Sequence, residues 1–154
     1  SMIYTDAKNE FEHYLDGYDR NNDKVRLKII HTYGVVHDME EICHRMALSP
    51  EDTELAKIIA LLHDIGRAEQ YRSGIPHDEA GAQIAEQILR ELSFDPSEIQ
   101  EITSAIREHR NAARSDTLSS LIYDADKASR NCFSCPAEKE CYWSAEKKNL
   151  TITY

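Results

Sequence analysis

The chain has 154 residues, a length typical of one domain with a substantial hydrophobic core. Its 28 acidic residues outnumber its 18 basic residues and give a formal net charge of −10, so we do not expect it to bind a nucleic-acid polymer or an anionic membrane surface. It has no run of about 18 apolar residues and no apolar signal segment near residue 1, which favours a cytoplasmic protein.

Helical periodicity runs through the chain, and it predicts an all-α, single-domain bundle of six to seven helices. The five glycines and four prolines fall almost wholly between periodic segments, at about 4–18, 24–48, 51–70, 77–92, 95–110 and 117–130. The fifth segment has a strong start signal in Asp95, Pro96 and Glu98. We expect an N-terminal helix in 1–23, a helical core in 24–130 and a tail in 131–154 packed on the same domain.

A His63-Asp64 pair follows an apolar run within the third predicted segment, in the stretch IIALLHDIGR. The residues before the pair form an apolar face at helical spacing, which predicts packing against a core: Leu55, Ile58, Ile59 and Leu62. A buried carboxylate needs a compensating partner, and a neighbouring imidazole suggests a metal ion as well as a hydrogen bond. On its own, the pair fits equally well with a metal site and with a capped helix end.

Three other histidines also fall on apolar helical faces. His31 shares the apolar stripe of the second helix with Leu27 and Met46, while His77 and His109 belong to the stripes of the fourth and fifth helices. One such histidine is most often a core residue bonded to a backbone carbonyl. Four of them on four helices, with the His-Asp pair included, predict a metal site built from inward-facing side chains.

The segment 121–127 contributes two further carboxylates, Asp124 and Asp126. Asp126 lies slightly closer to the apolar face of its helix, but the angular difference is too small for periodicity to choose between them. Whichever is not a metal ligand would cap the helix or pair with Lys127 or Arg130.

Taken together, these residues resemble the HD superfamily of metal-dependent phosphohydrolases, whose pattern is a histidine, a His-Asp pair and a final aspartate. The resemblance covers about residues 24–130. In chain order it rests on three segments: His31 with Val35, His63-Asp64 within ALLHDIGR, and Asp124-Ala-Asp-Lys127.

The resemblance implies one divalent metal ion held by His31, His63, Asp64 and Asp126. By position the first ligand is His31 and not His37. The last aspartate of the family follows an alanine and precedes a basic residue, a context that selects Asp126 over Asp124.

Two more histidines resemble ligands of a second ion in dinuclear members of the family. They are His77, in HDEAG, and His109, in IREHR. Six ligands would allow two metals bridged by Asp64. A single ion is the alternative, because Arg110 stands where the dinuclear motif has an adjacent histidine. The expected metals are Mn, Fe, Ni, Co or Zn.

The resemblance implies hydrolysis of a phosphate ester by a metal-activated water, with Asp64 as the central ligand. Arg67 and Lys127 are the basic groups placed to hold phosphate oxygens, the alternative being plain surface charge. We expect a phosphomonoesterase or phosphodiesterase acting on a nucleotide or another small phosphorylated metabolite. The alternatives are a di-iron oxygenase of HD type and a non-catalytic, nucleotide-binding regulatory module. The oligomeric state, including a homo-oligomer, is left open.

A separate cysteine motif lies in the tail, where Cys132, Cys135 and Cys141 have Cys-x2-Cys-x5-Cys spacing. They could hold a structural zinc, with Cys43 as a fourth ligand if the tail folds back onto the second helix. A redox or iron-sulfur role and unligated thiols are the alternatives. The HD pattern does not include these cysteines.

Overall fold

The computed structural model describes residues 2–108 and 117–128, and it confirms an all-α fold. Seven helices, with no strand, occur in these two ranges: α1 (Met2–Leu15), α2 (Asp23–Arg45), α3 (Pro50–Leu62), α4 (Arg67–Ser73), α5 (His77–Glu91), α6 (Pro96–Glu108) and α7 (Thr117–Ala128). No helix in the described part of the chain has the length and apolar character needed to cross a membrane.

The core forms where α2 packs along α3, α5 along α6, and α7 against α2. It is built from large aliphatic side chains with almost no solvent exposure, and α1 adds Ala7, Phe11 and Leu15 to the same cluster. Full burial of each large aliphatic side chain contributes about 1.5–3 kcal/mol. The fold is therefore held mainly by apolar packing around α3, the helix that leads to the His-Asp pair.

The longest helix, α2, starts at a well-formed cap. The Asn22 side chain accepts hydrogen bonds from the backbone N–H groups of Lys24 and Val25. The predicted stripe of α2 is wrong at both ends, because Leu27 and Met46 are about half exposed. The spacings between the residues of this stripe average more than 3.6, so over five turns the stripe rotates away from the buried face.

The prediction of one continuous helix over 51–70 is wrong, because a turn at 63–66 divides this segment into α3 and α4. The turn is closed by hydrogen bonds from Ile65 N–H to the Leu62 carbonyl and from Arg67 N–H to the Asp64 carbonyl. It carries the His-Asp pair out of the regular helix and turns both side chains toward α2 and α7.

A glycine makes this turn possible. A side chain at Gly66 would place its Cβ 2.2 Å from the carbonyl oxygen of His77 and 2.5 Å from the backbone nitrogen of Gly81. Both neighbours are backbone atoms that cannot move aside. The start of α5 therefore packs directly on the turn, and this contact fixes the position of the His-Asp pair.

Candidate metal centre

Four side chains that can bind metal meet where α2, the turn after α3 and α7 approach one another. His31 comes from α2, His63 and Asp64 from the turn, and Asp126 from α7. One nitrogen or oxygen donor from each lies within 4.8 Å of the others. Two imidazoles and two carboxylates form a donor set suited to divalent transition metals. We call these four residues the metal centre.

The imidazoles of the metal centre both face one carboxylate oxygen. His63 Nδ1–H donates to the Ala60 carbonyl at 2.6 Å, which leaves Nε2 to face the metal centre. That Nε2 lies 3.2 Å from Asp126 Oδ1, and His31 Nε2 lies 2.7 Å from the same oxygen. An imidazole lone pair repels a carboxylate oxygen unless a proton or a cation lies between them. The cluster is therefore arranged around a positive charge.

The donor spacing fits a single ion. Metal–ligand bonds to histidine and aspartate are about 2.0–2.2 Å, so two donors of one ion lie within about 4.4 Å of each other. The four donors here are within 4.8 Å of each other. Shifts of a few tenths of an ångström would bring all four into the range of one coordination sphere.

Electrostatics keep the carboxylates ionised despite their burial. Burial alone would raise the pKa of Asp64, but the charges of His63, Lys28 and Arg67 outweigh it and hold that pKa below its usual range. Burial opposes ionisation of Asp126 as well, and hydrogen bonds from the two imidazoles lower its pKa. Both groups are therefore anions at neutral pH, the form in which a carboxylate binds metal.

Two cations flank the Asp64 carboxylate, one at each oxygen. Arg67 Nε lies 3.4 Å from Oδ1, and Lys28 Nζ lies 3.7 Å from Oδ2. Both side chains retain contact with solvent, with 19% and 31% of their surface exposed. Lys28 was missed by the sequence analysis, although its position three residues before His31 places both on one face of α2.

His77, at the first position of α5, also lies near Asp64. Its Nδ1–H and its backbone N–H both donate to Gln70 Oε1, at 2.9 and 3.1 Å. This pairing directs Nε2 to a point 3.9 Å from Asp64 Oδ1. His109 and Arg110 lie outside the described residues.

The structure leaves other candidates away from the cluster. Asp124 is exposed, whereas Asp126 points into the metal centre. His37 is exposed on α2, with Nε2 3.4 Å from a Glu41 carboxylate oxygen. Lys127 is partly exposed and follows Asp126 directly on α7. The cluster therefore contains Asp126 and not Asp124, and His31 and not His37.

Cys43 is fully buried in the core, and burial raises the pKa of its thiol. Cys132, Cys135 and Cys141 lie outside the described residues, as does Arg130. The zinc site predicted for the four cysteines stays a prediction.

Comparisons with known proteins agree with this arrangement. A family model for the HD domain matches residues 29–131. A crystal structure described as a predicted HD superfamily hydrolase, from an uncultured Thermotogales bacterium, has a TM-score of 0.65 at 26% identity over 97% of this chain and 80% of that chain.

Two relatives match over shorter segments. An uncharacterized protein from Clostridium beijerinckii is 41% identical over 101 residues, which cover 66% of this chain and 64% of that protein. Ribonuclease Y 1 from Pediococcus pentosaceus is 33% identical over 92 residues, covering 50% of this chain and 18% of the nuclease. The chain thus spans less than two thirds of the length of either relative.

The family match runs from residue 29, within α2, through α7, and it includes the two histidines and two aspartates that come together. The resemblance predicted from sequence is thereby confirmed, and the chain belongs to the HD domain family.

Proposed function

We propose that the chain is a metal-dependent phosphohydrolase acting on a nucleotide or another small phosphorylated metabolite. The observation that carries the proposal is the convergence of two imidazoles and two ionised carboxylates within 4.8 Å. Membership of the HD family and the fold shared with a protein described as a predicted hydrolase support the same reaction class.

His31, His63, Asp64 and Asp126 would hold the metal ion. When bound there, a divalent ion supplies an activated water near neutral pH and neutralises charge on phosphate oxygens. The bond from His63 Nδ1–H to the Ala60 carbonyl orients that imidazole before any ion arrives. The His63 ring would therefore be oriented in advance for binding through Nε2.

Lys28 and Arg67 would hold the substrate phosphate beside the ion. Both cations lie within 4 Å of the Asp64 carboxylate. Once Asp64 is engaged with metal, its negative charge is shared and the two cations can turn toward phosphate oxygens. Arg67 suits bidentate binding and Lys28 acts as a point charge. Lys127, which follows Asp126 directly on α7, is a further basic candidate for this role.

A second ion is supported by the position of His77, whose Nε2 lies 3.9 Å from Asp64 Oδ1. Asp64 would then bridge two ions, with His77 and His109 on the second. Because phosphoryl transfer at two-metal sites stabilises both the attacking and the leaving oxygen, this arrangement would suit hydrolysis of a phosphate ester.

The test is elemental analysis of protein purified without added metal, followed by a screen against phosphoesters with Mn, Co or Mg, in air and without oxygen. We expect oxygen-independent phosphate release that requires metal. Activity that needs iron and oxygen would instead identify a di-iron oxygenase. A silent screen with every metal, together with nucleotide-dependent thermal stabilisation, would identify a regulatory module.

A further inference from the structure

The side chain of Gln70, on α4, makes two contacts at the start of α5. Its Oε1 accepts hydrogen bonds from the backbone N–H of His77 at 3.1 Å and from Nδ1–H of the same residue at 2.9 Å. A backbone N–H can only donate, so the amide atom that faces it is the oxygen and not the nitrogen. The ring and the backbone of His77 therefore meet an atom that can only accept.

This acceptor determines the tautomer of the His77 imidazole. A ring nitrogen that faces an amide oxygen at hydrogen-bond distance carries a proton, so Nδ1 is the N–H nitrogen. In the neutral imidazole the lone pair then lies on Nε2, the nitrogen 3.9 Å from Asp64 Oδ1. Because only 4% of the His77 side chain is exposed, water competes little with the contact to Gln70.

The same oxygen also fixes the backbone of His77. His77 is the first residue of α5, where the N–H groups of the first turn have no partner within the helix, and Pro76 before it has no side-chain acceptor. Gln70 Oε1 accepts from the first of these groups. At the carbonyl end, the His77 oxygen lies against the turn of the metal centre, 2.2 Å from where a Cβ on Gly66 would be. Both ends of this peptide segment are thus held, and the ring starts from a fixed position.

The resulting direction of Nε2 suits a metal ligand that shares an ion with Asp64. Bonds from a divalent ion to histidine and aspartate are about 2.0–2.2 Å, so two donors of one ion lie within about 4.4 Å of each other. The 3.9 Å between His77 Nε2 and Asp64 Oδ1 is within this limit. A nitrogen binds metal only through its lone pair, so the tautomer with the proton on Nε2 could not bind.

We propose that Gln70 is a positioning residue, which holds His77 as the Nδ1–H tautomer and directs Nε2 to an ion beside Asp64. The ion rests on the proposed function, whereas the tautomer of His77 in the metal-free protein does not. Gln70 itself would touch neither the ion nor the substrate. Loss of such a partner on the second nitrogen of a ligating histidine typically lowers metal affinity about 10–100-fold.

The first test is a long-range ¹H–¹⁵N spectrum of the metal-free full chain with labelled histidines, at about pH 8, where unperturbed imidazoles are neutral. His77 is assigned from the signals that disappear in His77→Asn. We expect a proton on Nδ1 and none on Nε2. Gln70→Met, similar in length but without an acceptor, should lose this preference and show both tautomers. Gln70→Glu, which keeps an acceptor oxygen, should retain the Nδ1–H tautomer.

The second test is isothermal titration calorimetry of the same proteins with Mn²⁺. Gln70→Met should bind the second ion about 10–100-fold more weakly than the wild type and the first ion equally well. Gln70→Glu should restore binding of the second ion. Gln87→Met is the matched control, because Gln87 is an exposed glutamine on α5, and it should change neither ion. Circular dichroism of each variant checks that the helices are intact.

A proton on Nε2 of His77 in the wild-type protein would overturn the proposal without the need for any variant. An unchanged tautomer in Gln70→Met would overturn it as well, and so would loss of the second ion from Gln70→Glu to the same extent as from Gln70→Met. If the wild type binds a single ion, the second ion of the proposed function is wrong. The Nδ1–H tautomer and its loss in Gln70→Met would still establish that Gln70 positions His77.

Discussion

The metal centre draws its donors from distant parts of the chain, with His31 and Asp126 95 residues apart, whereas the surface groove between the start of α2 and α4 is lined by short stretches of chain. The donors are largely buried and bonded to one another, while Tyr71 and Arg72 face solvent. The contrast indicates that the core packing fixes the arrangement of the donors, whereas the surface of α4 depends on local side-chain contacts. Changes in the two regions should therefore have different effects.

The largest effect should follow removal of a donor. His63→Ala or Asp64→Ala should abolish metal retention and phosphoester hydrolysis. Removal of only a hydrogen bond that supports a ligand typically lowers metal affinity or activity by roughly 10–100-fold, and the loss of a ligand itself should exceed this. Elemental analysis and phosphate release measure the loss. His37→Ala is the matched control, because this imidazole is exposed and contacts Glu41. If His37→Ala is as damaging as His31→Ala, the first ligand has been misassigned.

Gly66→Ala should unfold the turn that carries the metal centre. The new Cβ would lie 2.2 Å from the backbone oxygen of His77, so we expect a loss of about 3 kcal/mol or more. For a chain of this length, that corresponds to a fall in Tm of roughly 6–12 °C. Gly17→Ala is the control, since its Cβ would lie 3.5 Å from the Tyr14 carbonyl oxygen, an ordinary contact. Equal Tm values for the two variants would contradict the close packing at Gly66.

Lys28→Met and Arg67→Met should separate metal binding from substrate binding. Each removes a cation beside Asp64 but no metal ligand, so metal content should stay at the wild-type level. Loss of a charged hydrogen bond to phosphate, about 1.5–3 kcal/mol, should lower kcat/KM by about 10–100-fold. Arg26→Met, which removes an exposed cation paired with Asp23 on the same helix, should leave kcat/KM unchanged. Loss of metal in Lys28→Met would show that the lysine supports the metal centre instead.

The smallest effect concerns the hydrogen-bond network of Tyr18, Glu69 and Arg72, which forms the rim of the groove between the start of α2 and α4, at low pH. Hydrogen bonds to Glu69, above all from Arg72 and then from Ser73 and Tyr18, lower its pKa from 4.5 to about 2. Because the folded-state pKa is the lower one, ionised Glu69 stabilises the rim at pH above about 4.5, and this contribution is lost as the pH falls toward 2. A carboxyl NMR titration should find Glu69 ionised at pH 3.5. A midpoint near 4.5 would show that the network is not formed in solution.

The fold class could be predicted from sequence because it depends on helical periodicity. Periodicity also placed several histidines on apolar faces, but the choice of His31, His63, Asp64 and Asp126 as one set came from the resemblance to the HD superfamily. Asp124 and Asp126 could not be separated by periodicity, because both lie near the edge of the apolar face of α7. The family pattern and then the packing of α7 against α2 placed Asp126 toward the histidines.

The break between α3 and α4 could not be predicted because the apolar pattern continues through it. Ile65 and Ala68 are buried and keep the helical spacing of the preceding residues, so the sequence favours one helix. The break depends on Gly66 meeting Gly81, a contact made only after α5 has folded back. Lys28 was missed for a similar reason, since its partner Asp64 is brought to it by tertiary packing.

The most direct test of the metal centre is an anomalous difference map from crystals of the chain grown with Mn²⁺. The account predicts a strong peak within about 2.0–2.3 Å of His31 Nε2, His63 Nε2 and carboxylate oxygens of Asp64 and Asp126. A map with no peak among these four residues, at full occupancy of Mn²⁺ in the crystal, would contradict it.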